Sequence, residues 1–384
     1  MTPRLMLVCG EPSGDLLGAE LMAALRSISP AIEITGVGGP AMTAQGLRSL
    51  YSLGATAVMG LREVVPRIPA ILARVREASN FALTTRPDAV VLIDSPDFTH
   101  RIAQRLKRIA PKIRTINYVA PQVWASRGYR ARKMARYFDL VLALLPFEPP
   151  FFERYGLKAV FVGHPAIERA ARMAGGAELR KRLGIAPSAP LLGVFPGSRS
   201  NEIRFILPEF REAVARIAAE LPGLVNVLPT VPHVGARVRA ATQDWPAPLH
   251  ILEDEVDKFA AFDAIDAALA ASGTVTTELA LARKPMVVAY RVGRLTFALA
   301  RHLMTVKHIA LVNVLLEREA VPEFLQDRCR GRLLADAVLP LLGDPQAAAR
   351  QRADLDAATA LLGRGGDAPS LRAARAILDF VSNS

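Results

Sequence analysis

Leu5-Met6-Leu7-Val8-Cys9 runs without a polar residue into Gly10-Glu11-Pro12-Ser13-Gly14-Asp15, and an apolar-periodic segment follows from about Leu16. A short apolar run, a glycine-containing turn and a helix start make the βα unit of a parallel sheet, whose strands are buried on both faces and therefore show no alternation. The unit recurs. Ile32 to Val37 reads as a second strand, Ala89 to Ile93 as a third with a helix from about Phe98, and Thr115 to Val119, Leu140 to Leu144 and Ala159 to Val162 continue the series up to Gly163-His164-Pro165. After a polar, helical stretch from Glu168 to Leu183, strands are predicted at Leu191 to Phe195, Val225 to Leu228, Leu249 to Leu252, Ala267 to Ala271 and Pro285 to Ala289. The reading is α/β: two doubly wound, Rossmann-like domains, 1–166 and 167–384. Such sheets bind ligands beyond the carboxyl ends of their strands, so the expected site is a cleft that the two domains face.

Several strands end in residues suited to chemistry. Gly10 to Asp15 leads a glycine turn into a helix N-terminus, where backbone N–H groups and the dipole favour an anion. The spacing is not GxGxxG, so a dinucleotide fingerprint is not supported. Ser13 as an ordinary N-cap accounts for this segment equally well. Ala89 to Ile93 ends in Asp94-Ser95-Pro96-Asp97, with Ser95 as N-cap and Pro96 at the first helical position. Asp94 and Asp97 are then either capping carboxylates or, for one of them, a group facing the cleft that takes a proton from an attacking hydroxyl.

In the second half, Leu191 to Phe195 ends in Pro196-Gly197-Ser198-Arg199. Gly197 permits close approach, the helix N-terminus offers donors, and Arg199 adds a bidentate fork for phosphate oxygens. Ala271-Ser272-Gly273-Thr274-Val275-Thr276-Thr277-Glu278 forms a third such turn. Glu278, four residues after Thr274 on the same helix face, could accept from a ribose diol, although Ser, Thr and Gly at a helix start also serve simply as caps.

Composition narrows the function classes. With 384 residues, 51% hydrophobic and 22% charged, the chain is globular, neither disordered nor collagen-like. Runs such as Val141 to Leu145 fall far short of the roughly 18 to 20 residues that span a bilayer, so no transmembrane helix is expected. Leu5 to Cys9 is too brief for a signal-peptide core, and a cytoplasmic location is expected. Cys9 and Cys329 provide neither a disulfide framework nor metal spacing.

The net charge of +12 biases the chain toward anionic partners. Between Phe98 and Phe138 there are eleven Lys or Arg and no acidic residue, with Arg127, Arg130, Arg132, Lys133 and Arg136 on an expected helix. Few aromatics are interleaved and no reader motif is present, so nucleic acid is a poor partner. Two segments have the character of membrane-surface helices. Between Gly60 and Phe81, Val64, Val65, Ile68, Ile71, Leu72 and Val75 form an apolar stripe among Arg62, Arg67, Arg74 and Arg76, and Arg291 to Lys307 mixes Leu295, Phe297, Leu299 and Leu303 with cations in the same way. A core-facing helix is the alternative for both.

Taken in order, Gly10 to Asp15, Gly36-Val37-Gly38-Gly39-Pro40-Ala41-Met42, Ile93 to Phe98 and Tyr118-Val119-Ala120-Pro121-Gln122-Val123-Trp124-Ala125 resemble the lipid-A-disaccharide synthase family. Leu145-Pro146-Phe147-Glu148-Pro149, Phe161 to Pro165, Pro196 to Arg199 and Ser272 to Ala280 extend the likeness to about Gln326. The resemblance implies a GT-B type glycosyltransferase. Its members transfer 2,3-diacylglucosamine from UDP-2,3-diacylglucosamine to 2,3-diacylglucosamine 1-phosphate with inversion, giving the disaccharide 1-phosphate and UDP.

The resemblance further implies Asp97 as catalytic base with Glu11 as the second candidate. Gly197, Ser198, Arg199, Ser272, Gly273, Thr274 and Glu278 fall to UDP, and Ser13, Gly14, Asp15, Gln122 and Trp124 to the acceptor side. Asp88, also acidic in the family, is assigned to structure because it stands at a strand's amino end. Ser126 departs from the tryptophan of many relatives, and Thr277 from an apolar residue. Val64, Val65, Ile68, Ile71 and Leu72 would then meet acyl chains on the anionic inner face of a bacterial inner membrane. No Asp-X-Asp pair stands beside the phosphate turns, so neither metal nor cofactor is expected. A homodimer is implied, with the last helices, beyond the break at Arg364 to Ser370, packing on the first domain or on the partner. The alternatives are a UDP-sugar epimerase on a similar scaffold and a non-catalytic lipid-binding protein.

Overall fold

The computed structural model describes residues 2–53, 61–125, 128–293 and 307–382, the side chains of 61–67 and 125 excepted. It divides into two units, Met1–Pro165 with Gly365–Ser384, and Ala166–Arg364.

Unit 1 is built on β1 (Arg4–Cys9), β2 (Glu33–Val37), β3 (Ala89–Ile93), β4 (Arg114–Tyr118), β5 (Leu140–Ala143) and β6 (Ala159–Phe161). All pairings are parallel, in the order β2-β1-β3-β4-β5-β6. The all-apolar β1 and β3 are fully buried apart from Arg4, as central parallel strands must be. The chain reverses direction of travel between β1 and β3, which makes their carboxyl ends the switch point where open α/β sheets take ligands. The helix Pro369–Ser382 belongs to this unit and packs on Pro12–Ile28 through buried Ala373, Ala374 and Ile377. Arg114 donates to the Phe380 and Val381 carbonyls at 3.0 Å each, satisfying acceptors that a helix C-terminus leaves open. Part of the basic block is therefore engaged inside the unit: Arg114 here, and Lys107 with Asp139 at 2.7 Å.

Unit 2 contains β7 (Leu191–Phe195), β8 (Val225–Pro229), β9 (Leu249–Leu252), β10 (Ala267–Ala271), β11 (Met286–Tyr290) and β12 (Glu323–Leu325). They are parallel, in the order β12-β11-β10-β7-β8-β9, so the switch point lies between β7 and β10. Helices Ser200–Glu220 and Gly331–Gly343 bury one sheet face around Phe210, while Glu255–Ala264 and Pro345–Leu361 bury the other around Phe262. Each of these rings contributes about 1.5–3 kcal/mol by leaving water. The two Rossmann-like sheets agree with the sequence reading; β12 is an addition. Cys9 and Cys329 are both buried thiols. Among the described residues no helix is long and apolar enough to cross a membrane.

Candidate active site

At the unit 1 switch point, Gly10 brings the turn after β1 against the turn after β3: a Cβ at Gly10 would lie 2.9 Å from Ser95 Cβ and 3.0 Å from Phe98 Cδ1. The helix expected from Leu16 begins at Pro12, and its N-cap is Glu11 rather than Ser13. The Ser13 hydroxyl instead crosses to the other turn and donates to Asp94 Oδ2 at 2.9 Å. Asp94 and Ser95 both have left-handed backbones, φ 53° and 46°, a conformation disfavoured for non-glycine residues. Ser95 is the N-cap of Pro96–Ile109 with Pro96 at the first position, but it makes no side-chain cap. Thr99 holds the strained turn, its hydroxyl donating to the carbonyls of Asp94 at 2.7 Å and Ser95 at 3.0 Å.

Glu11 and Asp97, the two candidate bases, differ in setting. The Glu11 carboxyl is half-buried, and burial foremost, with repulsion from Asp94 and Asp97, lifts its pKa; the Ser95 hydroxyl offsets part of the rise. Asp97 is exposed in the first turn of its helix and lines a cavity of about 330 Å³. His100, one turn on, lines the same cavity; burial, helped by Arg130, pushes its pKa down to about 4 and keeps the ring neutral.

Asp15 and Gly14, expected on the acceptor side, each have a structural place in unit 1. Asp15 is buried, and its carboxylate takes the amides of Gly39 at 2.7 Å, Ala41 at 2.9 Å and Met42 at 3.0 Å, so it anchors the Gly39 turn. Gly14 is buried where a Cβ would come within 2.9 Å of Cys9 Cβ and 3.2 Å of the Ile93 carbonyl, so it serves helix–sheet contact. Asp88 accepts the Arg4 amide at 2.8 Å, a structural bond.

Beyond β4, Val119 is left-handed at φ 74°, costly for a β-branched residue, and Gln122 is exposed. Trp124 is fixed by its indole N–H, which donates to Glu148 Oε1 at 3.1 Å, and by edge contact with Phe147. Glu148 is itself buried, its other oxygen taking the Leu144 and Leu145 amides at 3.0 Å each, and burial pushes its pKa up to about 7. Sequence reasoning gave Glu148 no role; an acid inside the apolar Leu145–Pro149 motif was the available signal.

In unit 2, β7 and β10 are neighbours, Phe195 opposite Ala270, and their carboxyl ends carry the two phosphate-type turns. Gly197 has φ 102°, and a Cβ there would strike Glu202 at 2.2 Å. Glu202 is the residue missed. Its Oε2 accepts the amides of Ser198 at 2.9 Å and Arg199 at 3.0 Å, and its Oε1 accepts from Arg199 Nη1 at 3.0 Å. The donors expected to be open at Ser198 and Arg199 are thus occupied by an internal carboxylate at the third helical position, the acid half of a capping box. The Arg199 side chain remains 77% exposed. His233 Nε2 lies 2.8 Å from the Ser198 carbonyl, tying the turn to the next helix.

The β10 turn is more open. Gly273 caps Thr274–Leu281 without a side-chain bond, and Gly273 and Thr274 are exposed beside half-buried Ser272. Glu278 lies one turn in and is buried, with Lys258 Nζ at 3.5 Å and Arg169 Nε at 3.9 Å. It is therefore a charge-balanced carboxylate.

The apolar stripe divides along its helix, Leu61–Thr85. Val75 is core and Ile71 packs against the core, whereas Ile68 and Leu72 are 42% and 36% exposed. Arg74 is engaged with Glu77 and the Tyr51 ring. The side chains of Val64 and Val65, and the residues 126, 127 and 294–306 that include Leu295, Phe297, Leu299 and Leu303, lie outside the described residues.

A family model described as lipid-A-disaccharide synthetase matches residues 5–368. A lipid-A-disaccharide synthase from Rhodospirillum centenum is 48% identical over 384 residues, covering 100% of this chain and 96% of the relative. One from Paramagnetospirillum magneticum is 46% identical over 378 residues, covering 98% and 97%. Among solved structures, a UDP-GlcNAc 2-epimerase from Neisseria meningitidis bound to UDP-GlcNAc superposes with a TM-score of 0.65 at 12% identity, covering 99% and 100%. A glycosyltransferase from Rickettsia africae gives 0.60 at 11%, covering 100% and 99%. At such identities the structures share only the fold, and epimerases and transferases stand side by side on it.

Proposed function

The chain belongs to the lipid-A-disaccharide synthetase family and is a hexosyltransferase of lipid A biosynthesis, and from that premise we propose how its residues carry the reaction. The transfer is of 2,3-diacylglucosamine from its UDP derivative to the 6-hydroxyl of 2,3-diacylglucosamine 1-phosphate. Unit 2 takes the nucleotide. Arg199 and the Ser198 amide, once Glu202 yields them, neutralise the diphosphate together with the Gly197 amide, and Ser272, Gly273 and Thr274 add donors at the open start of the neighbouring helix. Glu278, balanced by Lys258 and Arg169, meets the ribose.

Unit 1 takes the acceptor. Asp97 removes the hydroxyl proton as the oxygen attacks the anomeric carbon; the C–O bond forms, the bond to the diphosphate breaks with inversion, and UDP leaves carrying the electron pair. Ser13, Gln122 and Trp124 line the acceptor side, and Glu11, with its raised pKa, is the second candidate base. Fixed charges carry the diphosphate in this scheme, with no metal or cofactor step. The protein works on the inner face of the inner membrane, with Ile68 and Leu72 toward acyl chains and the exposed cations outside the Asp97 cavity, Arg108, Lys112, Arg132 and Arg136, toward anionic lipid, and it acts as a homodimer.

The observation that carries this reading is the pair of turns at the β7–β10 switch point in a chain of this family. The epimerase alternative gains only fold likeness. Purified protein given both lipid substrates should release UDP only when both are present. Turnover of the sugar nucleotide alone overturns the transferase reading.

A further inference from the structure

The cavity containing Asp97 has an unusual wall. Asp97, His100 and Arg101 project from Pro96–Ile109, and Tyr129, Arg130 and Lys133 come from the short helix Tyr129–Met134. Three cations converge there, and among the described residues no salt bridge ties any of them to a carboxylate; Lys107, on the Arg101 helix, has Asp139. Arg101 is steadied by its Nε donating to the Asp97 carbonyl at 2.9 Å, and Lys133 Nζ sits 5.3 Å from the Tyr129 ring centroid.

His100 adds a polar demand. Its Nδ1 lies 3.2 Å from the Tyr137 hydroxyl, while Nε2 is buried without a partner. Nε2 is thus an unsatisfied polar atom on a residue that lines the cavity. With His100 neutral, the cavity holds three positive groups and one carboxylate, a net charge of about +2. A phosphomonoester carries −1.5 to −2 near neutral pH, so the charges match. At about 330 Å³ the cavity is at the small end of ligand pockets, suited to a phosphosugar head group and too small to include its acyl chains.

We propose that this cavity is the subsite for the acceptor's anomeric phosphate, held by Arg101, Arg130 and Lys133 beside Asp97. The assignment rests on the acceptor-side reading of Asp97 and deepens it: the cations select a phosphorylated sugar and set its hydroxyl against the base. A lipid-headgroup phosphate of the membrane is the competing source of the same chemistry.

The test compares two acceptors in the full chain, diacylglucosamine 1-phosphate and the same lipid with a free anomeric hydroxyl. Arg130→Ala with Lys133→Ala should lower kcat/KM for the phosphorylated acceptor by roughly 10²-fold, mainly through KM. It should leave the phosphate-free acceptor within about twofold, the donor KM unchanged, and binding to phosphatidylglycerol vesicles intact. Lys133→Arg, which keeps the charge, should retain most of the discrimination. Equal losses on both acceptors, discrimination that survives the double substitution, or a fall in vesicle binding that accounts for the loss overturns the proposal. Failure of the underlying reading is distinct: the unsubstituted protein then releases no UDP with either acceptor, and the subsite falls with it.

Discussion

Glu202 closes the turn that Arg199 ends: one carboxylate oxygen takes the Ser198 and Arg199 amides at 2.9 and 3.0 Å, the other the Arg199 guanidinium at 3.0 Å. In the proposed scheme the diphosphate and this carboxylate compete for the same three donors at the helix N-terminus. Glu202→Gln should therefore tighten UDP binding by about tenfold, while costing about 1 kcal/mol of helix capping. Arg199→Ala should weaken UDP binding by roughly ten- to a hundredfold. Calorimetry with UDP measures both; equal affinity in the Arg199 variant removes that residue from the site.

The roles of Asp97 and Glu11 separate by kinetics. Asp97→Ala should lower turnover by ~10²-fold or more with UDP affinity nearly intact. Glu11→Gln should have a smaller effect. If turnover instead survives at position 97, Glu11 is the base, and its raised pKa requires the acid limb of the rate profile to lie above the ordinary glutamate range and to vanish in Glu11→Gln.

Much of the fold was legible because strands buried on both faces must be apolar throughout, and Leu5–Cys9, Ala89–Ile93 and Ala267–Ala271 state this locally. The strand β12 was not legible. It is three residues long and begins with Glu323, whose carboxylate accepts from the Ile309 and Ala310 amides and the Asn313 side chain, partners that no local pattern reveals. The turns at the switch points were found, but their wiring was not. Ser13 looks like a cap in sequence and bonds Asp94, 81 residues away. Asp15 looks like a site acid and is consumed by amides 24 to 27 residues on. Glu202 had a local signal, the fourth-position acid of a capping box, obscured because arginine rather than a hydroxyl residue stands at the cap.

Gly10 tests whether the two unit 1 turns must touch. A methyl at this position meets Ser95 Cβ at 2.9 Å and Phe98 at 3.0 Å, so Gly10→Ala should cost about 1–3 kcal/mol and displace Ser95. Turnover should fall even at temperatures where the variant is fully folded. Unchanged kcat in a folded Gly10→Ala protein separates this contact from catalysis.

Glu148 ties stability to pH. Its folded pKa, about 7, lies above the ordinary 4.5 because burial outweighs the three donors around it. A carboxyl raised in the folded state binds its proton more tightly there than when unfolded, so its stabilising contribution is complete below about pH 4.5 and is lost as pH rises through about 7. The loss is on the order of 3 kcal/mol at most. Denaturant midpoints at pH 5 and pH 8 should show this decline in the parent chain, and Glu148→Gln should flatten it. The same substitution removes the carboxylate that receives Trp124 Nε1, so Trp124 fluorescence should shift at a pH where both proteins are folded. A decline of equal size in Glu148→Gln assigns the pH dependence to other groups.

Ile68 and Leu72 are large apolar side chains left in solvent on a helix whose deeper residues, Val75 and Ala78, are core. The inner part of the amphipathic pattern holds the helix to the unit 1 core, and the outer part is left for the membrane contact proposed above. Ile68→Ser with Leu72→Ser should therefore leave the melting temperature within a few degrees, because surface substitutions change stability by no more than about 0.5 kcal/mol. Binding to vesicles containing phosphatidylglycerol should weaken by roughly 10- to 10²-fold, the area term lost with two exposed aliphatic side chains. Activity on acylated substrates presented in those vesicles should fall with binding, while activity in detergent micelles should not. Sedimentation of both proteins with vesicles at low and high salt decides the matter, since an apolar contact persists at high salt and a purely electrostatic one does not.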